Sequence, residues 1–331
     1  MSEILANEYR GKIIENVRRG YVCVVDENKK IVFSVGDPSY YAYYRAALKP
    51  AQLVPVLKRK LEVKYNFTEP QIVMLASTHN GEYYHIEALE DMMVKAGLIE
   101  LDMIMKPTYP LDSFNAERLL REGKPQRKIY HSCSGKHIGL MILAREFGPD
   151  YQNYWQFEHP AQQEILENIS FICEVPKAKF GVGIDGCGVP VLAVPIKNMA
   201  LSYLKIACPD LIEDFEIKEA LEKFTPLVNK HNKYISGTNH LCSVMNEDNN
   251  IIYVDGANGI MNIGLKKERL GIAIKIEDGH DSERIFAIII AHLLEKLNYD
   301  NKAIIERLTD LFPETTYNDN DVEIGKIKAV F

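Results

Sequence analysis

Strand-forming runs stand near both ends of this 331-residue chain, and helical spacing fills most of what lies between them. Residues 21–25 (YVCVV) and 31–35 (IVFSV), separated by the polar DENKK, read as a hairpin. β-prone runs return at 250–254 and 270–276. The segment after Pro50 has helical spacing with proline near its first turn, where the missing N–H costs little. Further helical patterns fall at 85–97, from His137 onward, at 159–174, at 197–208, near 283–297 and at 301–312. Residues 71–76 (QIVMLA) read as a short strand ending in a polar loop, and the proline-containing 106–128 read as a connecting region. The mixture is α+β, with strands concentrated near the ends. Because single cores stop growing at roughly 250–300 residues, two regions are expected. These are a sheet region of 1–105 and 230–331, and a mostly helical region of 106–229 that carries two glycine-containing turns.

With 47% hydrophobic and 26% charged residues, the chain is globular rather than disordered or fibrous. The formal charge is −7 and basic residues are spread out, so there is no electrostatic footprint for a nucleic acid. The first twenty residues lack an apolar signal region, and no stretch approaches the roughly 18 apolar residues that span a bilayer. The expected location is the cytoplasm, with no membrane partner. Six cysteines without a CxxC pair read as reduced thiols. Cys23, Cys173, Cys208 and Cys242 lie among apolar neighbours and read as inert packing, whereas Cys133 and Cys187 lie in the two turns.

Arg45-Ala46-Ala47-Leu48-Lys49-Pro50 puts a lysine at a helix entrance. A serine three residues earlier would share its face, and a lysine desolvated enough to be neutral takes the serine proton and activates the oxygen. In this chain that residue is Ala46. Without the hydroxyl, Lys49 reads as an ordinary lysine near a helix N-terminus, mildly disfavoured by the dipole. Cys133-Ser134-Gly135-Lys136-His137 and Asp185-Gly186-Cys187-Gly188 supply two thiols, an amine, an imidazole and a carboxylate. Thiolates and imidazoles are usual zinc ligands, so a site forms if the two turns meet; otherwise they are glycine-shaped turns with buried thiols. Ser77-Thr78-His79-Asn80-Gly81-Glu82 offers polar groups in a loop, and serves equally well as a helix cap. Asp255-Gly256-Ala257-Asn258-Gly259 reads as a hairpin turn.

Taken in order, these pieces resemble the L-asparaginase II family. The matching set runs from about Glu15 to Arg284 and includes Arg19-Gly20, Arg45, Lys49-Pro50 with Gln52, His79 with Gly81-Glu82, CSGKH at 133–137, His159-Pro160, DGCG at 185–188 and Gly256-Ala257. The resemblance implies a fold like the serine β-lactamases and glutaminases, an antiparallel sheet of N- and C-terminal strands with a helical region inserted. It implies an amidohydrolase that releases ammonia from the side-chain amide of asparagine, a small-molecule amide substrate, and a homodimer. Carried over residue by residue, zinc would be held by Cys133, Lys136 and Cys187, with Asp185 nearby. Lysine ligates only as the neutral amine. Lys49, Thr78, His79 and Asp185 become catalytic candidates, and Arg45, Asn80, Glu82 and Asn258 substrate-binding ones.

The sequence departs from the family at several of these places. The family's RSxxKP reads Arg45-Ala46-Ala47-Leu48-Lys49-Pro50; its SHSGE reads Thr78-His79-Asn80-Gly81-Glu82; its second lysine falls on Val254, and the glutamate of GAEG on Asn258. The second family serine corresponds to Asn80, or to Ser77 or Thr78 with a shift. Three readings follow: an amidohydrolase using Thr78, Ser77 or a metal-bound water for attack; a different amide or thiol-metabolite reaction on the same scaffold; or a non-catalytic protein that binds an amino acid or metal.

Overall fold

The computed structural model describes residues 1–280 and 282–331, and all of its helices and strands fall within them. The expected hairpin is present as β2 (Ile13–Asp26) paired antiparallel with β3 (Ile31–Val35). β1 (Glu3–Arg10), β7 (Ile251–Gly256), β8 (Ile260–Leu265), β9 (Leu270–Ile276), β10 (Thr315–Tyr317) and β11 (Glu323–Ala329) complete an eight-stranded sheet. Its order is β10-β11-β1-β2-β9-β8-β7, with β3 branching from β2 and every pairing antiparallel. N- and C-terminal segments are interleaved in it: Ala6 faces Ala329, and Cys23 faces Ala273. The fold is α+β, and its sheet comes from the two ends of the chain.

The middle of the chain is not purely helical. β4 (Tyr41–Tyr43), β5 (Gly181–Ile184) and β6 (Pro190–Pro195) form a small second sheet in the order β4-β6-β5. The turn between β5 and β6 is the glycine-containing 185–188 segment, so this sheet carries Cys187 to the strand that leads into Arg45.

The helix Lys49–Lys58 is buried from Lys49 through Leu57 and packs against the helices Ser134–Arg145, Pro160–Cys173 and Phe215–Lys230. The helix Ile196–Ala207 lies across β2, β8 and β9, and Glu283–Lys296 packs along β1 and β11. One continuous apolar cluster joins sheet and helices.

Two stretches differ from what the sequence suggests. Residues Glu69–Met74 are helical rather than extended, because Thr68 and Gln71 close a capping box and Pro70 lies in the first turn. A short apolar run that is buried all round carries no period to separate strand from helix. Within 106–128 the segment Ser113–Arg121 is a helix capped by Asp112, whose carboxylate accepts from Asn115 N at 2.7 Å. No helix among the described residues is long and apolar enough to cross a membrane.

Asn229, near the end of Phe215–Lys230, ties that helix to the start of β7: its amide nitrogen lies 3.1 Å from Asn246 O, 3.0 Å from Asp248 O and 2.8 Å from Ile251 O. Asn229→Ala leaves buried carbonyls unpaired and is expected to destabilise by about 1–3 kcal/mol in chemical denaturation. Asn229→Asp, which turns an acceptor toward those carbonyls, is expected to lose more.

Candidate active site

A lysine with no exposed surface is the centre of the site. Lys49 begins its helix 0% exposed, and its amine donates to the Ser77 carbonyl and, at 2.7 Å, to Thr78 Oγ1. Burial holds its pKa below the ordinary 10.5; Cys133 opposes that shift and Lys136 adds to it. The three candidate positions left open by the sequence, Ser77, Thr78 and Asn80, are thereby separated. Ser77 Oγ donates to Met74 O at 2.8 Å in the turn that ends its helix, and is fully buried. Asn80 carries no hydroxyl. Thr78 is the residue whose hydroxyl meets the amine.

The chain reaches this lysine through a constrained bend. Arg45 has φ +53°, a left-handed conformation that residues with a side chain rarely adopt. β7 comes unusually close to it: a Cβ on Gly256 would lie 2.7 Å from Tyr44 O and 2.9 Å from Arg45 Cβ. Glycine alone permits that approach. Ala46 is half-buried beside it, and Val254, on the neighbouring strand, is 2% exposed.

The two cysteine turns meet. Lys136 Nζ lies 3.0 Å from Cys187 Sγ and 3.9 Å from Asp185 Oδ2, and the thiols of Cys133 and Cys187 share a hydrogen bond. That bond and the cations Lys49 and Lys136 let the thiol pair lose one proton readily, while burial and the first negative charge hold the second back. Burial disfavours the Lys136 ammonium, yet Cys133, Cys187 and Asp185 outweigh it and raise its pKa. No three His, Cys, Asp or Glu side chains stand ready to hold a metal among the described residues. The set that the resemblance implies is instead two thiols and an amine, and these converge in a buried pocket of donors suited to a soft, tetrahedral cation. They fit zinc, provided that the metal displaces the proton on Lys136.

The remaining candidates are distributed around these groups. Asp185 accepts from Arg45 Nε at 2.8 Å and from Gly186 N at 2.9 Å, so its carboxylate anchors the Arg45 bend. His79 is fully buried and turned away from Thr78's hydroxyl: its Nε2 lies 2.8 Å from Ser134 Oγ. Burial, with His85 and Lys49, keeps its pKa well below 6.5. Asn80 N donates to Ser236 O at 2.8 Å, and its side-chain nitrogen is sealed without a partner. Glu82 accepts from Thr238 N at 2.5 Å and Thr238 Oγ1 at 2.8 Å, which pins the 236–238 segment beside Asn80. Asn258, exposed in the β7–β8 turn at φ +65°, gives its carbonyl to Lys275 at 2.8 Å. Ser134 and Thr238 carry no signal of their roles in the sequence; their partners lie 55 and 156 residues away, a separation that leaves no local pattern.

A buried amine is thus held against a hydroxyl, next to a thiol and amine donor set. The chain belongs to the L-asparaginase II family, whose profile matches residues 6–329. No curated relative matches it. Among solved structures it is similar to a Bacillus glutaminase, at 12% identity over 85% of this chain and 92% of that one, with a TM-score of 0.37. A protein from Bacteroides dorei DSM 17855, named as a candidate beta-lactamase, aligns at 13% identity over 83% and 93%, with a TM-score of 0.44. The protein Mglu aligns at 14% over 85% of this chain but only 64% of its own length, with a TM-score of 0.37. These superpositions are loose, and the family assignment rests on the sequence match.

Gly256→Ala tests the close approach on which the site depends. The added methyl pushes β7 away from Tyr44 and Arg45, and a loss of about 1–3 kcal/mol is expected in thermal or chemical unfolding. An unchanged midpoint would mean that the contact is slack.

Proposed function

We propose that this protein is an amidohydrolase that releases ammonia from L-asparagine or a related amide, with Thr78 as nucleophile and Lys49 as its base. The observation that carries the reading is the 2.7 Å contact between Thr78 Oγ1 and an amine that burial pushes toward neutrality. Neutral Lys49 takes the Thr78 proton as Oγ1 attacks the amide carbonyl. The C–N bond then breaks, Lys49 returns the proton to the departing nitrogen, and ammonia leaves behind an acyl ester on Thr78. Water hydrolyses that ester to the acid, with Lys49 again relaying the proton and Thr78 restored. Cys133, Cys187 and Lys136 would hold zinc, with Asp185 beside them, and such an ion supplies Lewis-acid stabilisation of negative charge when bound. Arg45, Asn80 and Glu82 are assigned to holding the rest of the substrate.

A second reading concerns the substrate. Ala46 and Val254 put apolar surface where the family carries a hydroxyl and an amine, which favours an amide other than asparagine on the same chemistry. Ammonia release from L-asparagine, L-glutamine and simple primary amides by the purified protein separates the two readings.

Thr78→Ala and Lys49→Ala are each expected to reduce kcat roughly a thousandfold, while Thr78→Ser stays within about tenfold of wild type. Full activity in Thr78→Ala would rule that hydroxyl out as the nucleophile; no ammonia from any amide would leave the binding role. The base acts when neutral, so kcat is expected to rise with pH along a limb centred below 10.5, since the Lys49 pKa is lowered, and the limb should vanish in Lys49→Ala.

A further inference from the structure

His79 directly follows the proposed nucleophile in sequence, and Ser134 directly follows Cys133. These two side chains, both fully buried, meet at 2.8 Å between His79 Nε2 and Ser134 Oγ. Ser134 opens the helix whose first turn also bears Lys136, and its N–H donates to His131 O at 2.8 Å. The surrounding backbone leaves little slack: a Cβ on Gly135 would fall 2.0 Å from Met74 O and 3.4 Å from Ser77 Oγ. The thiol-bearing turn is therefore docked directly onto the segment that delivers Ser77, Thr78 and His79.

The imidazole is an expensive choice for packing alone. Its Nδ1 is sealed from solvent with no partner, a burden that a leucine of similar volume would not carry. It reaches neither solvent nor the Thr78 hydroxyl, so proton transfer does not explain it. What the ring does uniquely is bridge the two halves of the centre, one residue from Thr78 on one side and, through Ser134, one residue from Cys133 on the other.

Resting on the reading that Thr78 and Lys49 perform the chemistry, we propose that the His79–Ser134 hydrogen bond is a positioning strut. It fixes the distance between the Thr78 hydroxyl and the Cys133, Lys136 and Cys187 donors, so that the attacking oxygen and the donor set keep one geometry. Neither His79 nor Ser134 is a catalytic residue; both act through their chain neighbours. Loss of the strut lets the two turns drift, which harms the reaction more than substrate binding, because misplacement of about 1 Å costs up to roughly a hundredfold in rate.

The test uses Ser134→Ala, which leaves Thr78, Lys49, His79 and the donors in place, together with His79→Ala, the double variant and His79→Gln. Ammonia release and zinc chloride binding by calorimetry are measured on each, with circular dichroism to verify folding. Ser134→Ala is expected to lower kcat by about 10- to 100-fold with KM within about twofold. The double variant should be no worse than the worse single variant. His79→Gln, whose amide nitrogen reaches the place of Nε2, should recover most of the loss. Zinc affinity should fall about tenfold or more in Ser134→Ala, as for other partners that orient metal ligands. Losses that multiply in the double variant, or unchanged kcat and zinc affinity in Ser134→Ala, would overturn the strut. If the wild type releases no ammonia, the proposed chemistry fails, and the strut stands or falls on zinc affinity; absence of both activities overturns it too, since no centre remains to be positioned.

Discussion

Removing an amine from water is costly unless the surroundings replace its hydration, and the burial of Lys49 is the constraint around which the site is organised. The Ser77 carbonyl and Thr78 hydroxyl take its hydrogen bonds, and the thiol pair with Asp185 supplies compensating negative charge nearby. These compensating groups come from separate parts of the chain: residues 77–78, Cys133, and residues 185–187. The helix that begins at Lys49 must therefore be surrounded on all sides, and it is, by three other helices and by the approach of β7 to Arg45. The same enclosure holds the Lys49 pKa below that of a solvated amine.

The fold is legible in the sequence where the pattern is strong and local. Alternation and β-branched residues mark β2, β3, β7 and β9, and the caps and apolar periods mark the long helices. β1 (EILANEYR) and β11 (EIGKIKA) are not legible, because exposed polar residues alternate with few apolar ones and their pairing partners are at the far end of the chain. The Glu69–Met74 helix is mistaken for a strand because burial on every side erases periodicity. Lys49, Cys133, Lys136 and Cys187 stand out by residue type and turn context. The contacts among them do not, since spacing along a sequence says nothing about which turns meet. The choice among Ser77, Thr78 and Asn80 is decided by backbone direction: consecutive residues in an extended loop point opposite ways, sending Thr78 to Lys49 and His79 to Ser134.

The departures from the family form a consistent group. With Ala46 in place of a serine, the helix entrance offers no oxygen, and the loop hydroxyl becomes the amine's partner. With Val254 in place of a lysine, β7 adds packing rather than a second charge, and Val254 pairs across the ladder with Asn262, another buried residue. The surviving centre has one amine and one hydroxyl on one side and a thiol and amine set on the other, joined through a backbone contact at Gly135.

The interleaving of chain ends in the main sheet also governs when the molecule can come together. β1 precedes its outer neighbour β11, which ends at Ala329, so during synthesis β1 gains partners on both edges only after all the segments between them have been made. Until then the nascent polypeptide holds an open strand edge, a surface prone to pairing with other chains, so the order of strands sets how long that edge stays exposed.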